Sequence, residues 1–310
     1  MFLVTPVCLL IGISFPEQTG RLIVYVPYVF AFMTFSGSLK SCFRDVACVF
    51  RRPIPLAATL FMLHFLLPLL TRAAGGLFFS QHPYLITGMV LEFVVPSAVV
   101  SVMWVSIYRG SGPFTLSVVL MDTLLAPVLV PFSLKLFVGS SVRMDALGMM
   151  RELVLMIAVP ALLALTLNQT TKGKYQEALS RRLAPFGKMA LMFVVCANSS
   201  KVAPFVREMT PLLFEVTAVM FCIASLGFVL GWLGAALLRQ NREYAVSMMF
   251  NTGMRNISAG AVIAAAYFPP AVIFPVMICD LFQQVLAAVF AKLFAEKDET
   301  GGESEEEGGK

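Results

Sequence analysis

Charge is scarce in this chain of 310 residues: Asp, Glu, Lys and Arg make up 13%, while 58% of residues are hydrophobic. Soluble domains carry about 25% charged residues. With a mean hydropathy of +0.84, that deficit excludes a water-soluble globular fold. Histidine is scarcer still, at two residues, which excludes a histidine-rich metal centre. The six cysteines (Cys8, Cys42, Cys48, Cys196, Cys222, Cys279) include no Cys-x-x-Cys pair and sit in apolar or juxtamembrane sequence. They read as small hydrophobes and not as a disulfide or metal framework. No basic run with interleaved aromatics lies outside the apolar segments, so the net charge of +5 gives no nucleic-acid footprint. What remains is an all-α polytopic membrane protein, in which each charge stranded inside an apolar run demands an explanation.

A helix crosses ~30 Å of hydrocarbon with about 20 apolar residues. Ten runs qualify: 1–16, 22–39, 54–71, 83–108, 113–137, 148–168, 186–203, 211–238, 244–268 and 271–294. The first is short and lacks a basic leader, so it reads as a trimmed or slightly buried helix and not as a signal peptide. Ten spans return both termini to one side. The loops bearing Lys40, Arg44, Arg51, Arg52, Arg109, Lys172, Lys174, Arg181, Arg182, Lys188, Arg239, Arg242, Lys292 and Lys297 hold twice as many cations as the opposite loops. Those carry Arg21, Arg72, Lys135, Arg143, Arg151, Lys201 and Arg207. The positive-inside rule therefore puts both termini in the cytoplasm. Residues 296–310, rich in Gly and Glu, read as a disordered acidic tail.

The fifth run, MDTLLAPVLVPFSLKLF, and the tenth, CDLFQQVLAAVFAKLF, align Asp122 with Asp280 and Lys135–Leu136–Phe137 with Lys292–Leu293–Phe294. The offset is about half the chain. Five spans per half is an odd number, so the second copy lies inverted in the membrane, the arrangement of many secondary transporters. The fourth run is interrupted at Pro96–Ser97. At a matching offset the ninth is interrupted by Asn251–Thr252–Gly253–Met254–Arg255–Asn256. Interrupted helices in corresponding positions of two halves point to a transporter's binding site.

The ionisable residues within the runs are Glu92, Asp122, Arg255 and Asp280, with Glu215 and His64 nearer the ends. An arginine at a span centre costs about 2.5–3.5 kcal/mol on insertion scales, so Arg255 must face the bundle interior. Glu92, Asp122 and Asp280 are its candidate partners, or carriers of a transported proton. His64, four residues before Pro68, reads as a satisfied interior histidine, and Gly227, Gly231 and Gly234 read as close helix packing.

The order of runs, the break from Pro96 to Ser101 followed by Tyr108–Arg109–Gly110, and above all Asn251–Thr252–Gly253–Met254–Arg255–Asn256 resemble the bile acid:sodium symporter family over nearly the whole chain, as in a bacterial homologue with altered sodium-site residues. The resemblance implies ten helices in two inverted five-helix repeats, with discontinuous spans four and nine crossing. It also implies panel helices in 1–53 and 148–210, core helices in 54–147 and 211–295, and the tail at 296–310. The family's sodium sites use a Glu and a Gln in the ninth span and a Ser–Asn pair in the fourth. Here those positions read Asn251, Arg255 and Ser101–Val102, and two hydroxyl positions of the fifth span read Thr115 and Val119. Thr252 and Met254 complete this altered crossover site. A hard cation needs several oxygen ligands, so the resemblance implies that Arg255 substitutes for a cation, and neither sodium nor another cofactor is expected. Substrate contacts implied by the family fall on Asn256, Gln283 and Gln284, with Arg255 beside them.

The resulting expectation is a non-enzymatic secondary transporter of a small organic anion, in a bacterial inner membrane, sodium-independent and either proton-coupled or facilitative. Its partners would be that anion and the lipid bilayer, with no nucleic acid and no oligomeric state specified. The same residues admit a sodium-coupled symporter with a reduced ion site, or a receptor or channel on the same fold. An intramembrane aspartyl protease using Asp122 and Asp280 is a further alternative, although the flanks Met121 and Cys279 lack the motifs of such enzymes.

Overall fold

The computed structural model describes residues 4–39, 41, 53–139, 145–207 and 210–296. Lys40, Cys42, Arg44, Cys48, Arg51, Arg52, Arg143 and the tail from Lys297 onward lie outside them. The elements are α1 (Val4–Ser14), α2 (Pro16–Ser38), α3 (Pro53–Phe78), α4 (Pro83–Val94), α5 (Ser101–Ile107), α6 (Gly112–Val138), α7 (Ala146–Thr170), α8 (Gln176–Ser199), α9 (Ala203–Arg207), α10 (Pro211–Leu237), α11 (Arg242–Gly253), α12 (Ile257–Tyr267) and α13 (Pro270–Phe294). Six of these, α2, α3, α6, α7, α10 and α13, are long and apolar enough to cross a membrane. Large apolar side chains such as Leu77, Leu147 and Leu237 are exposed on the outer surface, as a lipid-facing surface requires. The protein is an integral membrane protein.

Local chemistry sets the helix starts. Prolines open α2, α3, α4 and α10, where a missing N–H costs nothing and φ is already helical. Asp145, Asn241 and Asn256 cap α7, α11 and α12 by accepting from the backbone N–H three residues on. Pro16 also moves one boundary. The second helix begins there and not near residue 22, because a proline at the first helical position starts a new helix just after Phe15.

The fourth and ninth-run segments are each two helices, α4 then α5 and α11 then α12, with non-helical residues between. Val95 and Met254 adopt extended dihedrals, and Ser97 pairs with Arg255 in an antiparallel bridge. Ala98 N–H donates to Met254 O at 3.1 Å and Asn256 N–H donates to Pro96 O at 2.8 Å. Each break thus supplies partners for the backbone groups freed by the other, as irregular backbone at membrane depth must.

Among packed neighbours, α1 and α2 lie against α8, and α2 also against α7; α4 packs on α3, α6 and α13, while α10 packs on α11 and α13. The contact between α10 and α11 is close because it is lined by glycine. A Cβ at Gly231 would stand 2.6 Å from the Met248 carbonyl oxygen, and one at Gly253 would run into the Phe228 ring.

Candidate functional site

Around the crossing breaks the polar side chains bond to one another. Asn251, Ser101, Thr115, Ser97 and Asp122 are all buried. Ser101 Oγ donates to Asn251 Oδ1 at 3.1 Å, and Asn251 Nδ2 donates to Thr115 Oγ1 at 3.4 Å. One amide therefore joins two hydroxyls from different helices, with its N–H pointing where oxygens converge. Ser97 Oγ adds a bond to Asn251 O at 3.0 Å. Val102 and Val119 contribute no oxygen, Thr252 Oγ1 is buried without a partner, and the Met254 carbonyl is taken by Ala98.

Beside this cluster lies Arg255, 2% exposed. Sequence reasoning offered Glu92, Asp122 and Asp280 as its partners, yet no carboxylate stands within salt-bridge distance of it among the described residues. The guanidinium instead meets carbonyls: Nη1 reaches Val95 O at 3.5 Å and Nη2 reaches Leu63 O at 3.4 Å. Its carbon lies 5.9 Å from the centre of the Phe93 ring, and Nε has no partner. Leu63 O is free for a specific reason. Residues Met62–Leu66 of α3 wind as a π-turn in which Leu67 N–H bonds back to Met62 O. The next residue, Pro68, has no N–H to offer.

Asp122 takes a different partner. Its Oδ1 lies 2.6 Å from His64 Nε2, and its Oδ2 accepts from Ser97 N–H at 2.7 Å. His64, which the sequence reads as a satisfied interior histidine, has its partner in Asp122, next to the crossover. Its spacing from Pro68 was the available signal. Arg255 still lies in the field of Asp122 and Glu92, which offsets its charge without a direct contact. Glu92 is 1% exposed, with Oε2 unpartnered, and bears on Cys279 and Gly260.

The three amides expected to face substrate have internal partners. Gln283 grips the Arg255 backbone at both ends, accepting from its N–H at 2.8 Å and donating to its carbonyl at 3.1 Å. Gln284 Oε1 accepts from Trp104 Nε1 at 3.0 Å. Asn256 Oδ1 caps α12 through Ala259 N–H at 3.2 Å.

A second polar neighbourhood lies between α8 and the pair α12 and α13. Val194, Val195, Asn198, Ile257, Ser258, Ala261, Met277 and Asp280 line a narrow cleft too tight for a water-sized sphere. Asn198 is fully buried there, and neither its Oδ1 nor its Nδ2 has a partner among the described residues. The Asn198–Ser199–Ser200 run at the end of an apolar segment was the sequence signal for it. Asp122 and Asp280 thus belong to separate neighbourhoods: the first is bonded to His64 and Ser97, and the second faces this cleft. Two carboxylates that share a proton must be in contact, and no hydrogen bond links these two among the described residues.

Comparison with known proteins adds three findings. The family model for the sodium bile acid symporter family matches residues 27–209. An uncharacterized protein of Bacillus subtilis (strain 168), YbaS, is 39% identical over 290 residues, spanning 94% of this chain and 95% of its own length. YocS of the same organism, described as an uncharacterized sodium-dependent transporter, is 20% identical over 289 residues, spanning 93% and 88%.

Proposed function

The chain belongs to the sodium bile acid symporter family, and from that premise we propose that it is a secondary transporter of a small organic anion that works without sodium. In this reading ten spans form two inverted five-helix repeats in a bacterial inner membrane, with both termini cytoplasmic. Spans three to five and eight to ten form a core that rocks against a panel of spans one, two, six and seven, exposing the substrate cavity to each side in turn.

The observation that carries the sodium-independent part is the direct bonding of Ser101 and Thr115 through the Asn251 amide. Sodium requires converging oxygens. Here an amide N–H stands among the hydroxyls, and the neighbouring buried guanidinium repels any cation. Both positive ends are already part of the chain. An imidazole and a carboxylate 2.6 Å apart inside the bundle, His64 and Asp122, are chemically able to carry a proton and support proton coupling over simple facilitation. A sodium-coupled transporter with a reduced ion site is the competing reading, favoured by the description of YocS.

Melting of the purified protein in NaCl against choline chloride at equal ionic strength separates them. A ligand at 100-fold its dissociation constant stabilises by about 2.7 kcal/mol, so a bound sodium ion would raise the melting temperature. No difference between the salts is expected. Uptake of labelled small carboxylic acids into proteoliposomes, under a sodium gradient and then a pH gradient, tests coupling directly: uptake that follows sodium would overturn the proposal.

A further inference from the structure

The cleft between α8 and the α12–α13 pair is lined by five apolar side chains and by Asn198, Ser258 and Asp280. Asn198 enters from α8 with both amide atoms unpartnered at zero exposure. Buried polar atoms in native structures are nearly all hydrogen-bonded, and an amide with both ends open has room for a donor and an acceptor from outside the chain. Across the cleft stands Asp280, a carboxylate at membrane depth with no salt-bridge cation among the described residues. An unpaired intramembrane carboxylate marks a functional site. The third polar element is the first turn of α12, contributed by Ile257 and Ser258. The Asn256 side chain satisfies Ala259 N–H, and the earlier N–H groups of a helix have no intrahelical acceptor.

These groups make opposite demands. The start of α12 favours negative charge, whereas Asp280, with Glu92 near enough to act on it, repels it. A plain anion would satisfy the first and clash with the second. A carboxylic acid that also bears an ammonium group would satisfy both, with the ammonium on Asp280 and Asn198 Oδ1. The cleft admits no water-sized sphere in this conformation, so a ligand would enter as α8 separates from α12 and α13, the panel-and-core movement of the transporter reading.

We propose that Asn198 and Asp280 form a subsite for a hydrogen-bond-donating cationic group, so that the transported acid is a small zwitterion. This rests on the transporter reading above and narrows its substrate class.

Three probes of equal chain length test it on the purified full-length protein: β-alanine, propionate and propylamine, each read by calorimetric affinity and by melting shift. β-Alanine is expected to bind best. Asp280→Asn, which keeps shape and removes charge, should cut the preference for β-alanine over propionate by about tenfold, the worth of one charged hydrogen bond. Asn198→Asp, which adds a second carboxylate, should raise the preference for the amines and guards against a folding defect in the first variant. Equal binding of β-alanine and propionate, a preference unmoved by Asp280→Asn, or no binding of any probe would each overturn the subsite. Propylamine binding as tightly as β-alanine would leave the subsite standing and overturn the organic-anion reading instead.

Discussion

The crossover and the α8 cleft meet at α13, which gives Gln283 to one and Asp280 to the other, yet they treat polar groups in opposite ways. At the crossover, Asn251 serves two hydroxyls, Asp122 serves a histidine and a backbone N–H, and Gln283 closes both ends on one residue. In the cleft, the Asn198 side chain bonds to none of the described residues. A closed network in a low-dielectric interior is rigid and fails when one member is removed, while an open amide has a standing cost that only a ligand relieves. Thr252 Oγ1 and Arg255 Nε are also left without partners among the described residues, but the bonded amides and the Asp122 carboxylate make the crossover a framework, and the cleft reads as a place to bind.

The contrast breaks most visibly at Arg255. Arg255→Ala removes a buried cation, leaves the Leu63 and Val95 carbonyls without donors and strips the offset from Glu92 and Asp122. A loss of about 1.5–3 kcal/mol is expected from the hydrogen bonds to the charged group, seen as a clear fall in melting temperature. A mild fall would mean that the guanidinium is not the keystone described here. The double change Asn251→Glu with Arg255→Gln exchanges the built-in positive groups for oxygen ligands. It should make melting sodium-sensitive, by about 2.7 kcal/mol at 100-fold excess over the dissociation constant. Indifference to sodium would show that the remaining ligands, with Val102 and Val119 among the crossover positions, are too few.

The smallest effect is expected in the cleft and has the opposite sign. Asn198→Leu replaces an unpartnered buried amide with an apolar side chain of similar size, so stability should hold or rise by about 1 kcal/mol while ligand binding is lost. Destabilisation would mean that Asn198 has a structural task, and the comparison would then fail at its second term.

How far the sequence revealed this arrangement depends on range. Hydropathy and the placement of proline located the long helices, and Pro96 with the Asn251–Asn256 segment located the breaks, because backbone rupture is a local property. Pairing was harder to read. That Asp122 chooses His64 over Arg255 depends on how a π-turn rotates α3, and a residue count along α3 does not contain that rotation. Gln283 and Gln284 carry amides suited to a substrate, but which face of α13 turns inward decided that one holds Arg255 and the other Trp104. Asn198 is hard to single out for the same reason: a short polar run such as Asn198–Ser199–Ser200 near a helix end is unremarkable until an acid is found opposite it.

Pro68 touches none of the polar groups at the crossover through a side-chain hydrogen bond, yet its missing N–H leaves the Leu63 carbonyl open to Arg255. Any other residue at that position would bring an N–H able to claim the same carbonyl and displace the guanidinium from it. Positions 68 and 255 therefore form an epistatic pair, in which the ring at one tolerates the charge at the other. A lineage that traded Arg255 for an ion-binding side chain would be released from keeping a proline one helical turn past His64.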